Sequence, residues 1–184
     1  PTTNTFTNVY SFAGGADASK TNGILHKLYD GNFIGATESG GTPSAGIIYH
    51  FNPVTGVVTK KFDMGTIDAY YPRGFFTEHS NGKLYGVTQS GGSYIGTLFE
   101  YDPVNNTCVK KVDFNFSTGY RPVGRPVETA DGKLYGLTNQ GGINDTGTLY
   151  EFDPSNSSFA KKLDFEGSNG EAPYSSLILD SDNK

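Results

Sequence analysis

The chain of 184 residues has no tryptophan, one methionine and one cysteine. The lone Cys108 excludes an internal disulfide framework and a cysteine-based metal site. No stretch approaches the ~18 consecutive apolar residues of a membrane-spanning helix. Neither sign of charge forms a run: 14 Lys and Arg stand against 19 Asp and Glu, for a net charge of -5. A nucleic-acid partner is therefore not expected, because phosphate binding needs a clustered basic face. Helical periodicity is missing as well, since no segment sustains a 3.6-residue apolar repeat. Hydrophobic residues make up only 35%, but 13 Phe and 12 Tyr each supply a large area to bury. A core built on rings is what this composition permits.

What the chain does have is a phrase written three times. Residues 30–41 read DGNFIGATESGG, 81–92 read NGKLYGVTQSGG and 131–142 read DGKLYGLTNQGG. Gly31, Gly82 and Gly132 hold the same place in each, so the spacings are 51 and 50 residues. A further copy opens at Asp182 and Asn183. The one-residue difference falls after the Gly-Gly pair, where length changes mark a surface loop. The 25 glycines sit at repeated places, which argues for many tight turns.

Each period reads as four short strands. The KLYGLT type (133–138) is followed by GTLYEFDP (147–154), then FAKKLDF (159–165), then a segment such as APYSSLILDSD (172–182). Four antiparallel strands per ~50 residues make one β-propeller blade. Such a blade has two apolar faces and buries them only by stacking on its neighbours. The expected fold is all-β: an incomplete arc of a larger propeller with four-stranded antiparallel blades. The division places the outermost strand and loop of a preceding blade at 5–23. Blades follow at 24–74, 75–124 and 125–173, and the first strand of the next at 174–184. Counted this way the chain has 14 strands, one opening, twelve in three blades and one closing.

The composite pattern, with DGKLYGLT and GG leading to GTLYEFDP and KKLDF, resembles the GloVer tandem repeat of Gloeobacter and Verrucomicrobia proteins, a distant relative of kelch repeats. The likeness runs from about Val9 to Lys184. It implies an exported bacterial β-propeller protein, extracellular or at the outer-membrane surface. It implies no catalytic residues and no cofactor. The absence of tryptophan departs from kelch, whose blades usually carry one in the fourth strand; Val58, Cys108 and Phe159 stand in that region.

Candidate residues divide into framework and decoration. Tyr85 and Tyr135, with Ile34 as their counterpart, form a repeated column expected to pack between blades. Cys108 is expected to be a buried hydrophobe. Asp30, Asn81, Asp131 and Asp182, and also Asn52, Asp102 and Asp153 before proline, are expected to cap turns; a calcium site would need more oxygen ligands close together. The three histidines, His26, His50 and His79, are not repeat equivalents. His50 replaces Glu100 and Glu151 on a strand, and His26 and His79 belong to the innermost strand. Lys27, Glu78, Glu128 and Leu179 share one inner-strand column, which is no obvious acid pair.

The candidate ligand-binding residues are Tyr70, Tyr71, Arg73, Tyr94, Tyr120, Arg121, Arg125 and Tyr174. They are expected on loops of one face of the disc, where Tyr and Arg offer contact area for protein or glycan. The function these features suggest is a non-catalytic binding or scaffold propeller at a cell surface. Its partners would be protein or glycan, together with the rest of a longer propeller chain or a second copy. Two alternatives are a propeller enzyme acting on polysaccharide, as lyase or hydrolase, and a structural component of an outer-membrane complex.

Overall fold

The structure, a computed structural model, describes residues 6–92 and 95–180. It is all-β, with three antiparallel sheets that follow one another along the chain. The first sheet holds β1 (Ser19–Thr21), β2 (His26–Lys27), β3 (Phe33–Ser39), β4 (Ile47–Phe51) and β5 (Val58–Asp63). The second holds β6 (Ala69–Pro72), β7 (Thr77–Glu78), β8 (Leu84–Gly91), β9 (Thr97–Asp102) and β10 (Thr107–Asp113). The third holds β11 (Tyr120–Glu128), β12 (Leu134–Gln140), β13 (Thr148–Asp153) and β14 (Ser158–Asp164).

Each sheet is one blade in which the innermost strand pairs with the second, and the chain then meanders outward. In the first two blades the innermost strand is interrupted, as β1 and β2 and as β6 and β7; in the third, β11 runs unbroken past a register shift between Val123 and Val127. Among the described residues the sheets do not close into a ring. Among the described residues the strands number 14, the expected total, but by a different route. Residues 6–12 form no strand, although Phe12 meets Tyr49 edge-on at 5.2 Å as Phe114 meets Tyr150 at 5.1 Å. Residues 174–180 form no strand either. In each sheet the innermost strands are held by the second strand of their own blade.

The recurring phrase now has a physical reading. Asp30 accepts from Asn32 N and Asn81 from Lys83 N, which tightens the turn into the second strand. Before proline, Asn52, Asp102 and Asp153 accept from backbone amides two residues on. The glycine of KLYG lies opposite an aromatic residue: Gly35 faces Tyr49, Gly86 faces Phe99 and Gly136 faces Tyr150. A β-carbon on Gly86 would come within 2.6 Å of the Phe99 ring, so glycine is what lets the ring lie flat on the strand. The threonine after it is buried: Thr88 and Thr97 hydroxyls meet at 2.7 Å, and Thr138 and Thr148 at 2.8 Å.

Blade stacking repeats residue for residue. Between the second and third blades, Tyr85, Val87, Leu98, Val112 and Phe114 meet Leu134, Tyr150, Phe152 and Phe159. Between the first and second, the same positions are Ile34, Ala36, Ile48, Phe62 and Met64 against Leu84, Phe99, Tyr101 and Cys108. Cys108 is thus a buried core residue, and burial pushes its thiol up in pKa. Tyr85 is fully buried between blades; Tyr135, on the outer face of the third, is partly exposed.

Candidate recognition site on the inner strands

One backbone device recurs where the inner strands begin and once more after the third blade. Lys20, Tyr71, Arg121 and Ala172 all have left-handed φ values, of 56°, 58°, 51° and 43°. Bulky residues rarely adopt this region. For the last three the previous blade holds the backbone: Tyr71 N donates to Ala45 O at 2.9 Å, Arg121 N to Ile95 O at 2.9 Å and Ala172 N to Thr146 O at 2.8 Å. The following prolines, Pro72, Pro122 and Pro173, lie on Gly46, Gly96 and Gly147 of the previous blade. A β-carbon there would approach the proline Cδ to 2.8, 2.5 and 3.0 Å. The strained residue is therefore a clasp between blades, and its side chain is free to vary.

The clasp changes the placement of the candidate residues. Tyr70, Tyr71, Tyr120 and Arg121 lie on strands β6 and β11, not on entering loops, because the clasp starts the strand earlier than alternation suggests. Their registers are equivalent: Tyr70 pairs with Ser90 and Tyr120 with Gln140, at the end of each sheet next to the Gly-Gly turn. Tyr71 is 43% exposed and Arg121 is exposed, whereas Tyr70 and Tyr120 are half-buried. Tyr120 packs edge-on with Phe116 at 5.0 Å, and its phenol is raised in pKa by burial and then by Asp145. Arg73 is half-buried, with a buried Nε that has no hydrogen-bond partner among the described residues. Tyr174 is largely exposed, and Tyr94 lies outside the described residues. Arg125 does not join this rim; it lines a separate cleft further along the inner strands.

That second cleft, of about 320 Å³, is lined by His26, Glu78, Arg125, Val127, Glu128 and Leu179, among others. His26 Nε2 lies 3.0 Å from Glu78 Oε2, with both side chains partly exposed. His79 also lies 3.4 Å from Glu128, but it is 7% exposed and fully engaged. Its Nδ1 accepts from Asn81 N at 3.0 Å, so Nε2 carries the proton and donates to Gly132 O of the next blade at 2.9 Å. His79 is therefore a tie between blades rather than a reactive base. Sequence reasoning placed His26 and Glu78 in adjacent columns of the inner strand but missed their pairing. The signal was their adjacency combined with the offset between neighbouring blades. Among the described residues, no group of three or more His, Cys, Asp or Glu side chains gathers as a metal site requires. Nor does any helix among them have the length and apolarity to cross a membrane.

Known structures share this architecture at low identity. The extracellular domain of a protein named as a one-component system from B. thetaiotaomicron superposes with a TM-score of 0.58 at 11% identity, over 87% of this chain and 19% of that one. TolB from Acinetobacter baumannii gives 0.54 at 15% identity, over 83% and 33%. A protein named TolB from Agrobacterium tumefaciens gives 0.52 at 13% identity, over 84% and 52%. The chain thus spans between about a fifth and a half of the length of these structures. Among curated proteins there is no significant match. The Gloeobacter/Verrucomicrobia repeat matches residues 1–184, and the chain belongs to that repeat family.

Proposed function

We propose that this chain is a non-catalytic recognition segment of an exported bacterial surface propeller, and that the clasp rim is its binding surface for protein or glycan. One observation carries the reading. At one backbone position, left-handed in φ, the blades present the exposed Lys20, Tyr71 and Arg121, and the last two are hydrogen-bonded to the previous blade. A constant frame with variable, solvent-facing side chains is how repeat scaffolds build binding surfaces. Export is supported by the likeness to an extracellular domain.

Binding to a glycan array, and to purified outer-membrane proteins of the source bacterium, tests the proposal. Tyr71→Ala and Arg121→Ala should each weaken the interaction while leaving the thermal midpoint within about 2 °C, since exposed substitutions change stability little. Turnover of a polysaccharide, seen as new reducing ends or unsaturated products, would favour the enzyme reading instead. The His26–Glu78 pair beside Arg125 is the observation behind that second reading.

A further inference from the structure

Two blades carry a pair of acids near the end of their third strand, at alternate positions and so on one face. In the second blade these are Glu100, which meets Lys111 at 3.4 Å, and Asp102, which meets Lys83. In the third they are Glu151 and Asp153, and Glu151 meets Lys162 at 3.2 Å and Lys133 at 3.6 Å. The first blade has neither acid. His50 and Asn52 stand in their places, and Asn32 stands where Lys83 and Lys133 do. One charge of the set survives: Lys61, at the position of Lys111 and Lys162. Among the described residues no carboxylate meets its ammonium. Asp63, the acid nearest to it along the strand, pairs with Lys60 at 2.9 Å instead.

A groove of about 300 Å³ opens over these positions, lined by Asn32, His50, Asn52, Thr55, Thr59 and Lys61 together with Val57. None of its lining residues is an acid. The hydrogen-bonding capacity that remains is mostly that of donors. Asn52 Oδ1 already accepts from Val54 N and Thr55 N, which leaves its amide protons. Thr55 Oγ1 accepts from Val57 N, which leaves its hydroxyl proton. Lys61 can only donate. Asp30, whose charge reaches His50, is engaged twice by Asn32. The His50 ring adds no charge at neutral pH, since burial and then Lys61 hold it below its usual pKa. The groove thus holds one unopposed positive charge among uncharged donors, beside the exposed apolar surface of Val57. A phosphate, with nearly two charges, would call for a second cation; one lysine matches the single charge of a carboxylate.

We infer that this groove binds an acidic sugar: a uronate whose carboxylate meets Lys61, as the glutamates of the other two blades meet their lysines, and whose ring hydroxyls meet Asn52 and Thr55. The groove shares no residue with the clasp rim, so the inference does not rest on the rim being a recognition surface.

The test is an amide NMR titration of the 184-residue chain with glucuronate and galacturonate, each against its neutral sugar, glucose or galactose, and with acetate. A neutral sugar lacks only the carboxylate, and acetate keeps little else. The amides of Asn52, Thr55 and Thr59 should shift and saturate with at least one uronate. It should bind about fivefold more tightly than its neutral sugar or acetate, as a partly exposed ion pair allows. Lys61→Gln keeps a long polar side chain and should bring the uronate down to the level of the neutral sugar. His50→Glu returns the carboxylate that the other blades place there, so it should pair with Lys61 and abolish the preference as well. Any one of four results would overturn the assignment: no saturable shifts with either uronate, shifts centred elsewhere, a neutral sugar or acetate bound as tightly, or the preference unchanged in Lys61→Gln or in a folded His50→Glu protein.

Discussion

Tyr85 Oη donates to Glu100 Oε2 at 2.6 Å across the β8–β9 pair, and in the first blade the same two positions are Ile34 and His50. The third blade keeps the pair as Tyr135 and Glu151, which are also hydrogen-bonded. Where the hydroxyl is lost, the carboxylate that receives it is lost as well. Each glutamate also meets a lysine of the outermost strand, Lys111 at 3.4 Å and Lys162 at 3.2 Å. Tyrosine, glutamate and lysine thus tie three strands of a blade together from the junction outward.

Removing the hydroxyl should separate the two copies. Tyr85 is fully buried, so Tyr85→Phe loses a charge-assisted bond that water cannot replace; the expected cost is about 1.5 kcal/mol. Tyr135 is partly exposed and water can take over, so Tyr135→Phe should cost less than about 0.5 kcal/mol. Urea midpoints of the two variants decide the matter. Equal losses would mean that the neighbouring blade does not set the strength of the bond.

Tyr150 should behave in the opposite way. It is fully buried against Gly136, and its hydroxyl has no hydrogen-bond partner among the described residues. The equivalent residue of the second blade is Phe99, which carries no hydroxyl at all. Tyr150→Phe removes an unsatisfied polar group and keeps the ring, so it should raise stability by about 1 kcal/mol. A lower urea midpoint in Tyr150→Phe would show that the hydroxyl is satisfied in solution.

The architecture was legible because the framework is repetitive. Once the three phrases are aligned, Val58, Cys108 and Phe159 fall in one column, and Cys108 and Phe159 occupy one core position at successive junctions. The same alignment put Tyr71, Arg121 and Ala172 together. Their left-handed backbone was hidden, because it is imposed by a carbonyl about 26 residues earlier, in the previous blade, and not by any local glycine. The opening segment misled for a related reason. Its Phe12 has the pattern and the contact of an outermost strand, but residues 6–12 have no second strand beside them to make a ladder. His79 resisted interpretation because its defining partner, Gly132 O, belongs to the next blade.

Asp102 predicts a pH dependence. Its carboxyl is held well below the usual carboxylate range, first by Lys83 and then by the Asn105 amide, with Val104 N donating at 2.8 Å. A carboxyl lowered in the folded state favours folding when ionised. That contribution is present above the unfolded value of 3.8 and is lost as pH falls through the lower folded value. Asp102→Asn should therefore be less stable at neutral pH, by roughly 1 kcal/mol because Lys83 is partly exposed. The gap between the two proteins should narrow as the pH drops below 3.8 and towards the lower folded value. Urea midpoints at pH 7 and pH 2.5 measure it, and a gap as wide at the lower pH as at pH 7 would place the stabilising contact elsewhere.

Val112 and Leu163 occupy one position of the repeat, opposite Leu98 and Leu149 on the outermost strand. Val112 is 9% exposed beneath the third blade, whereas Leu163 is 41% exposed on that blade's outer face. A lysine at 112 would put a charge into the junction that holds Phe114, Tyr150 and Phe152. Val112→Lys should cost several kcal/mol, or unfold the chain, because the ammonium has no partner there. Leu163→Lys faces water and should cost less than about 0.5 kcal/mol. Thermal and urea midpoints read the contrast directly. Since strand pairing is equivalent at the two sites, the difference between the two variants reads how fully the neighbouring blade shields position 112 from water. A large loss in Leu163→Lys would instead show that the outer face of the third blade is covered in solution, and an accompanying loss of a dimer in light scattering would identify a second copy as the cover.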